Sequence, residues 1–518
     1  MYRTCFSSLL LLVLLLLYMR PSKTFNPRAF VHTIYTHASI HAHTHTRTYM
    51  NVPTEAVMRA GRKTKLCMSS ENTKDDKGQG AISVNDGEYM IRVYNTISEI
   101  GRDRWNSFVT EYDSPFIEYD WLHSLEVAEC ASMRLGWQPL HIGVYNREDK
   151  LVALSPMYAK YNSYGEFIFD QSWAQFAQQS LGIQYYPKLL IAIPFTPATG
   201  SRMIFAPHLH ENDDSDNGKS KEESASIRQK KDAIMKSVAA ATRSLTRSNK
   251  LSSCHVNFMQ SEEVPSYKDQ GFLLRQTIQY RWENRHKERN EMHETFDDYL
   301  AEFKSKRRIQ IKRERSKVIE QGVKVKVIRG DEPEATEELY ETMFQLYQTT
   351  VEKMWGTQYL SSRFFNILSQ LPHSFRKNLV FVVAVKENES KIIKGKINEN
   401  IIAGTINFCK GDKFYGRYWG CFEFVNNLHF EVCYYRAIEY CIENKIQYME
   451  PGAGGGSFKY LRGFDPYIVN SVHYLDDGRF NTAVSQFLDQ EKLQNTELAT
   501  YLIERKDKIK DDKQLGYT

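Results

Sequence analysis

Four side chains stand where a general acid or base could use them: Asp170, His429, Glu431 and Glu450. Such chemistry needs a base for a nucleophile's proton and donors for any developing oxyanion. Glu450 ends a strand-like run and precedes PGAGGG (451–456), where glycines allow close backbone approach and offer amides. Gly454 and Gly455 lie in that stretch, and Lys459 follows it as a candidate to hold a carboxylate or phosphate. The stretch is not a phosphate loop of the GxxxxGK[ST] kind, because Tyr460 follows Lys459. His429 and Glu431 open a helical segment, and their spacing puts them on different faces. One is expected to point into a cleft while the other caps or pairs; a structural histidine is the alternative for His429. Arg417, Tyr418 and Trp419 lie on a strand, so Arg417 and Trp419 are expected on one face and Tyr418 on the other. A buried arginine needs an anionic partner from substrate or protein. Earlier in the chain Asp170 and Trp173 are followed by Tyr185, Tyr186 and Lys188. These aromatics would stack on a sugar or base, or fill the core.

A second kind of site is a basic helix. Between Lys304 and Lys317 eight bases face one acid, Glu314. Lys304, Arg308, Lys312 and Arg315 recur at helical spacing and form one stripe. Arg307, Arg308, Lys312, Arg313 and Arg315 are expected to bind an anion: a tRNA, a nucleotide-linked precursor or an anionic lipid headgroup. No interleaved aromatics point to base reading in particular.

The charge distribution sharpens that contrast. The 518 residues carry +5 overall, but residues 1–70 hold nine bases and only Glu55 as an acid. The other 448 residues hold 59 bases and 62 acids, so the remainder is acidic with one positive helix. Composition excludes a disordered, collagen-like or disulfide-scaffold protein. Leu9 to Leu17 form an apolar run behind Arg3, too short to span a bilayer. A stretch rich in Thr, Ser, His and Arg follows. The pair resembles a bipartite plastid-targeting presequence; mitochondrial targeting, secretion or a short membrane anchor are the alternatives. His32, His37, His41, His43 and His45 read as compositional bias of this leader rather than a metal site. The eight cysteines show no CxxC and read as reduced, buried thiols.

The elements that must position these residues alternate between helix and strand. Expected strands include Leu140–Val144, Leu151–Tyr158, Gly165–Asp170, Val323–Ile328, Leu379–Val385, Ile401–Phe408, Phe414–Trp419 and Ile468–Leu475. Helices are expected at Ile227–Ser248, Phe296–Gln321, Glu334–Met354 and Leu428–Glu443. The order repeats. LVALSPMYAKYNSYGEFIFD (151–170) lines up with IIAGTINFCKGDKFYGRYWG (401–420), and SYKDQGF (266–272) with SFKYLRGF (457–464). This suggests a duplicated α/β domain. The expected organisation is a presequence (1–70), a linker (71–87), two domains (88–290 and 291–491) and a polar tail (492–518). Polar runs at 211–223 and 387–400 read as surface insertions.

The strings YGEFIFDQSWA (164–174), YYPKL (185–189), PFTPATG (194–200), WEN (282–284), KRRIQIKRER (306–315), WGTQYL (355–360), GRYWGC (416–421), HFEVCYY (429–435) and EPGAGG with Lys459 together resemble the FemAB-like family of the GNAT acyltransferase superfamily. The resemblance runs from about Ile97 to Glu491. It implies two tandem GNAT-like α/β domains with mixed, mostly antiparallel sheets. It also implies a Fem-like acyl or aminoacyl transferase, with aminoacyl-tRNA or an acyl-CoA as donor and no metal. Acetyl-CoA-binding relatives carry a Gln/Arg-x-x-Gly-x-Gly/Ala loop for the pyrophosphate. Here the corresponding segments read FTPATG (195–200) and CFEFVNNLHF (421–430), which disfavours a plain acetyl-CoA-dependent N-acetyltransferase. A non-catalytic anion- or tRNA-binding protein on the same fold is the remaining alternative.

Overall fold

Two kinds of strand sequence build the sheets. LVFVVAVK (379–386) is apolar at almost every position and is buried on both faces. VKVKVIR (323–329) alternates, lies at a sheet edge and turns Lys324 and Lys326 outward. The computed structural model describes residues 84–85, 88–210, 221–286, 289–354, 358–386, 400–454 and 456–508. The presequence at 1–70, most of the 71–87 linker, the insertion at 211–220, the loop at 387–399 and Gly455 lie outside the described residues. So do 287–288, 355–357 and 509–518.

In chain order the elements are β1 (Val84–Asn85), β2 (Met90–Tyr94), α1 (Arg102–Asn106), α2 (Tyr119–Val127), β3 (Trp137–Pro139), β4 (His141–Tyr145), β5 (Leu151–Ser155), β6 (Met157–Lys160), α3 (Gln171–Ser180), β7 (Lys188–Ile191), β8 (Ile204–Phe205), α4 (Lys221–Ser248), β9 (Ser253–Met259), α5 (Val264–Lys268) and β10 (Leu273–Glu283). The second series follows: α6 (Phe296–Ala301), α7 (Ser305–Glu320), β11 (Val323–Arg329), α8 (Glu337–Met354), α9 (Ser362–Gln370), α10 (His373–Arg376), β12 (Leu379–Lys386), β13 (Ile401–Lys410), β14 (Lys413–Cys421), α11 (Leu428–Phe430), a π-helical turn (Glu431–Tyr435), α12 (Arg436–Glu443), β15 (Tyr448–Glu450), α13 (Ser457–Tyr460), β16 (Asp465–Leu475) and α14 (Gly478–Lys508).

An eleven-stranded sheet has the order β11-β12-β13-β14-β15-β10-β16-β9-β7-β6-β3, and a five-stranded sheet the order β1-β2-β4-β5-β8. The architecture is mixed α/β with mostly antiparallel pairing, as expected. Within each repeat one pair runs parallel: β7 with β9, and β14 with β15. The last strands cross over. β10, from the first repeat, lies between β15 and β16, while β16 lies between β10 and β9. The repeats therefore share one sheet across the 290/291 boundary. They also share a core, in which Phe116 packs at 4.8 Å from Phe408 and 5.3 Å from Tyr415.

The repeat register differs from the expected one beyond residue 160. β13 pairs β12 on one side and β14 on the other. In the first repeat those two duties are split between β5 and β6, which pair β4 and β7 respectively. Pro156 separates them; a proline cannot donate to a ladder, and the sheet divides there. The expected strand Gly165–Asp170 does not form. Phe167 and Phe169 hold left-handed backbone angles, φ 59° and 52°, which a strand cannot contain. The counterpart of β14 is β7, reached after this irregular insertion. The second proposed match holds: α5 and α13 each lead through Gly-Phe into a long strand, β10 or β16. Residues 492–508, read as polar tail, continue α14, which lies on β10 and β16 and pairs Glu491 with Arg275 at 2.8 Å.

Gly420 is required by packing. A Cβ there would stand 1.8 Å from the Leu346 carbonyl oxygen, so α8 reaches β14 only because residue 420 has no side chain.

Candidate active site at the parting of two strands

β14 and β15 stay together only through Lys413, Phe414 and Tyr415, paired with Tyr448, Met449 and Glu450. β15 then ends, and among the described residues no strand lies beside that edge of β14 from Gly416 onward. A crevice opens at this point. Its walls are Tyr415, Gly416, Arg417, Glu450 and Gly452 of the second repeat, Gln279 of β10, and Pro197 and Ala198 of the first repeat. It is narrow, with a volume of about 10 Å³. Gly416 keeps the floor low, since a Cβ there would come 3.2 Å from Pro451 Cα.

Glu450 is 6% exposed, and its Oε2 has no hydrogen-bond partner among the described residues. Burial pushes its carboxyl above the ordinary carboxylate range, against a smaller opposing pull from Arg281 and Lys413. The Thr199 backbone and Tyr467 lie beside it. A buried carboxyl that lines a crevice and has one unpartnered oxygen can accept a proton.

A β-bulge changes the expected faces of β14. Trp419 pairs Thr405 while Gly416 pairs Asn407, so Arg417 and Tyr418 together oppose Ile406. The extra residue reverses the alternation at this point. Arg417 and Tyr418 both turn toward the first repeat, correcting the expectation that Arg417 and Trp419 share a face. Arg417 lies 5.4 Å from the Phe116 ring and donates to the Phe195 carbonyl oxygen at 2.5 Å. Tyr418 packs 5.4 Å from Tyr347. Trp419 turns to the other side and meets His429 at 5.2 Å.

His429 sits among Trp419, Phe430, Tyr434 and Phe458. Burial, helped by the positive charges of Arg462 and Lys459, pushes it down to about 4. The imidazole is therefore neutral at pH 7 and a weak base. Lys459 is 3% exposed and donates to the Gly452 and Gly454 carbonyl oxygens, each at 2.6 Å. It fastens the glycine turn rather than presenting a charge at the surface. Burial lowers its ammonium to about 8. Gly452 and Gly454 take φ 87° and 77°, which only glycine adopts at low cost. Gly455 lies outside the described residues.

Glu431 is committed elsewhere. It accepts from Arg315 at 2.9 Å, and Arg315 also reaches Glu439 at 3.0 Å. This ion pair fastens α7 to the π-helical turn, so Arg315 is not part of an open basic face. Lys312 is paired with Asp297 at 3.0 Å. Arg313 is exposed, and Arg307 and Arg308 are partly so.

Asp170, Trp173, Tyr186 and Lys188 do come together, but around β7 and β9 rather than Glu450. Lys188 donates to Glu166 at 2.8 Å and to Asp170; the Tyr185 hydroxyl donates to Asp170 at 2.6 Å. His255 bonds Ser253 at 2.9 Å through Nε2 and His473 at 2.7 Å through Nδ1. Trp173 covers His473 at 5.0 Å, and Tyr186 bonds Ser163 at 2.7 Å. Burial alone would raise Asp170, but Lys188 and His255 hold it below its ordinary value. Burial brings Glu166 up to about 7 and depresses Lys160, His255 and His473. Glu166, Lys160, His255 and His473 escaped sequence reading. The signal was there: Ser253, His255 and Asn257 alternate along one strand, and Ser471 and His473 along another.

The parting in the first repeat is closed. Beyond the pair Ile191–Val256, Gly200 donates to Phe258 O at 3.2 Å. The Arg202 guanidinium donates to the carbonyls of Asn257, Ala198, Gly200 and Ser201 at 2.6 to 3.2 Å. The other side of that loop, at Pro197 and Ala198, forms a wall of the Glu450 crevice.

A sequence profile described as FemAB-like, peptidoglycan biosynthesis/recognition, matches residues 96–507. The crystal structure of FemX is similar at 12% identity and a TM-score of 0.42, covering 74% of this chain and 98% of that one. L-PGS from Bacillus licheniformis is similar at 9% identity and a TM-score of 0.38, covering 71% and 94%. A tandem GNAT protein from the clavulanic acid biosynthesis pathway is similar at 7% identity and a TM-score of 0.34, covering 75% and 98%. None of the curated proteins matches the chain. The profile spans the shared sheet, the crevice and α14 together, and the chain belongs to the FemAB-like family of peptidoglycan biosynthesis/recognition.

Proposed function

We propose that the chain transfers an acyl or aminoacyl group to an amine or hydroxyl acceptor in the Glu450 crevice. Family membership supports the transferase class. The observation that carries the site is the buried Glu450 carboxyl, with Oε2 unpartnered and its proton affinity raised by burial. In this reading the acceptor nitrogen or oxygen attacks the donor's carbonyl carbon. The new bond forms as the bond from that carbon to the donor's ester oxygen or thioester sulfur breaks. Glu450 takes the nucleophile's proton and returns it to the leaving group. The unpaired β14 edge beyond Tyr415 offers backbone amides to the oxyanion. Arg417 and Lys459 position the two walls, one through Phe195 and the other through the glycine turn. His429, neutral at pH 7, packs beside Trp419 on the other side of β14. The donor is proposed to be an aminoacyl-tRNA or an acyl-CoA.

The test is label transfer from charged tRNAs, or from labelled acetyl-CoA, to acceptors in a cell extract. Glu450→Gln should lower it on the order of 100-fold with folding intact. Undiminished transfer in a folded variant rejects the site.

A further inference from the structure

Two apolar side chains on the solvent side of α7 are conspicuously bare: Ile309 is 62% exposed and Ile319 71%. Beside the end of that helix the loop after β14 leaves Phe422 49% and Phe424 88% exposed. The loop and the helix end are joined. Gln321 donates to Asn426 O and accepts from Asn426 N, both at 3.3 Å, and Val318 packs in one cluster with Val425. Arg313 and Lys317 are exposed on the same helix beside Ile309, with Ile319 on the opposite flank of its exposed half. Among the described residues here, Glu320 is exposed and Glu423 is paired with Lys386 at 2.5 Å.

We propose that this face, the outer side of α7 with the Phe422–Phe424 loop, docks on a membrane surface carrying anionic lipids. Protruding phenylalanine and isoleucine among lysine and arginine fit the boundary between headgroups and acyl chains, where each kind of group finds its partner. A nucleic acid would meet the bases but gives isoleucine side chains no stacking partner. Among the described residues no helix is long and apolar enough to cross a membrane. The loop follows β14, whose Arg417 lines the Glu450 crevice.

Sedimentation of the full chain with vesicles tests this. The leader is common to every variant and cancels in the comparison. Vesicles of phosphatidylcholine mixed with phosphatidylglycerol should bind at least about tenfold more tightly than phosphatidylcholine alone. Phe424→Ser, and separately Arg313→Glu with Lys317→Glu, should each weaken that binding about tenfold at an unchanged melting temperature. These side chains are exposed, so folding should survive. Variants that bind like the unaltered chain overturn the proposal. So does a protein that ignores the mixed vesicles yet binds bulk tRNA through Arg313 and Lys317.

Discussion

Arg417 Nη2 donates to the Phe195 carbonyl oxygen at 2.5 Å, and through this contact β14 of the second repeat holds the loop that closes the first. The contact exists because a bulge turns Arg417 and Tyr418 to the same side. It fixes one wall of the crevice against the other. Arg417→Met should lower stability by about 2 kcal/mol, as expected for a charged hydrogen bond, with a larger proportional loss of transfer than of melting temperature. Chemical denaturation alongside label transfer checks this. Equal transfer in the variant would make the contact structural only.

Burial raises Glu450 in the folded protein, so the folded state binds its proton more tightly than the unfolded chain does. The sign follows: stability is lost as pH rises from the unfolded carboxyl value through the raised folded one. Glu450→Gln removes that loss. The variant should melt no lower than the unaltered chain at pH 8 while transfer collapses. Parallel loss of both would show that Glu450 supports the fold instead.

His429 carries the opposite sign. It is held down at about 4 against an ordinary 6.5, so its contribution is present above pH 6.5 and lost as pH falls toward 4. The loss is up to roughly 3 kcal/mol and adds to that from His255 and His473, which burial also depresses. Denaturant midpoints between pH 7 and 4 should fall less steeply in His429→Gln. An unchanged slope would mean that the imidazole is not buried in solution.

Removing one partner of the buried Lys188–Asp170 pair leaves a charge uncompensated. Lys188→Met should cost about 3–5 kcal/mol, and adding Asp170→Asn should recover much of that. If the double variant regains transfer together with stability, the cluster supports the fold. If stability returns and transfer does not, the cluster takes part in the reaction.

Much of this molecule was legible in its residues. Alternation and apolar runs located most strands, and the Gly-Phe punctuation at 271–272 and 463–464 marked the true repeat. Glu450 and Lys459 stand out because strand ends and glycines have local signatures; the structure places Glu450 on the crevice and Lys459 behind the glycine turn. What was missed is non-local. No spacing rule says that β10 and β16 exchange places, so the roles of Gln279 and Arg281 beside Glu450 could not be read. A one-residue bulge at Arg417–Tyr418 reverses every later side chain, and bulges leave little trace in sequence. The basic stripe was read as one open face, yet Arg315 is consumed by Glu431, more than a hundred residues away. Pro156 is a local signal of the divided sheet.

The acid limb of the pH–rate profile for transfer tests the central claim most directly. If Glu450 is the base, transfer should rise with pH along a limb displaced above the ordinary carboxylate range, in the direction burial dictates. The residual rate of Glu450→Gln should lack that limb. A limb at the ordinary carboxylate value, or one that persists unchanged in the variant, would contradict the assignment.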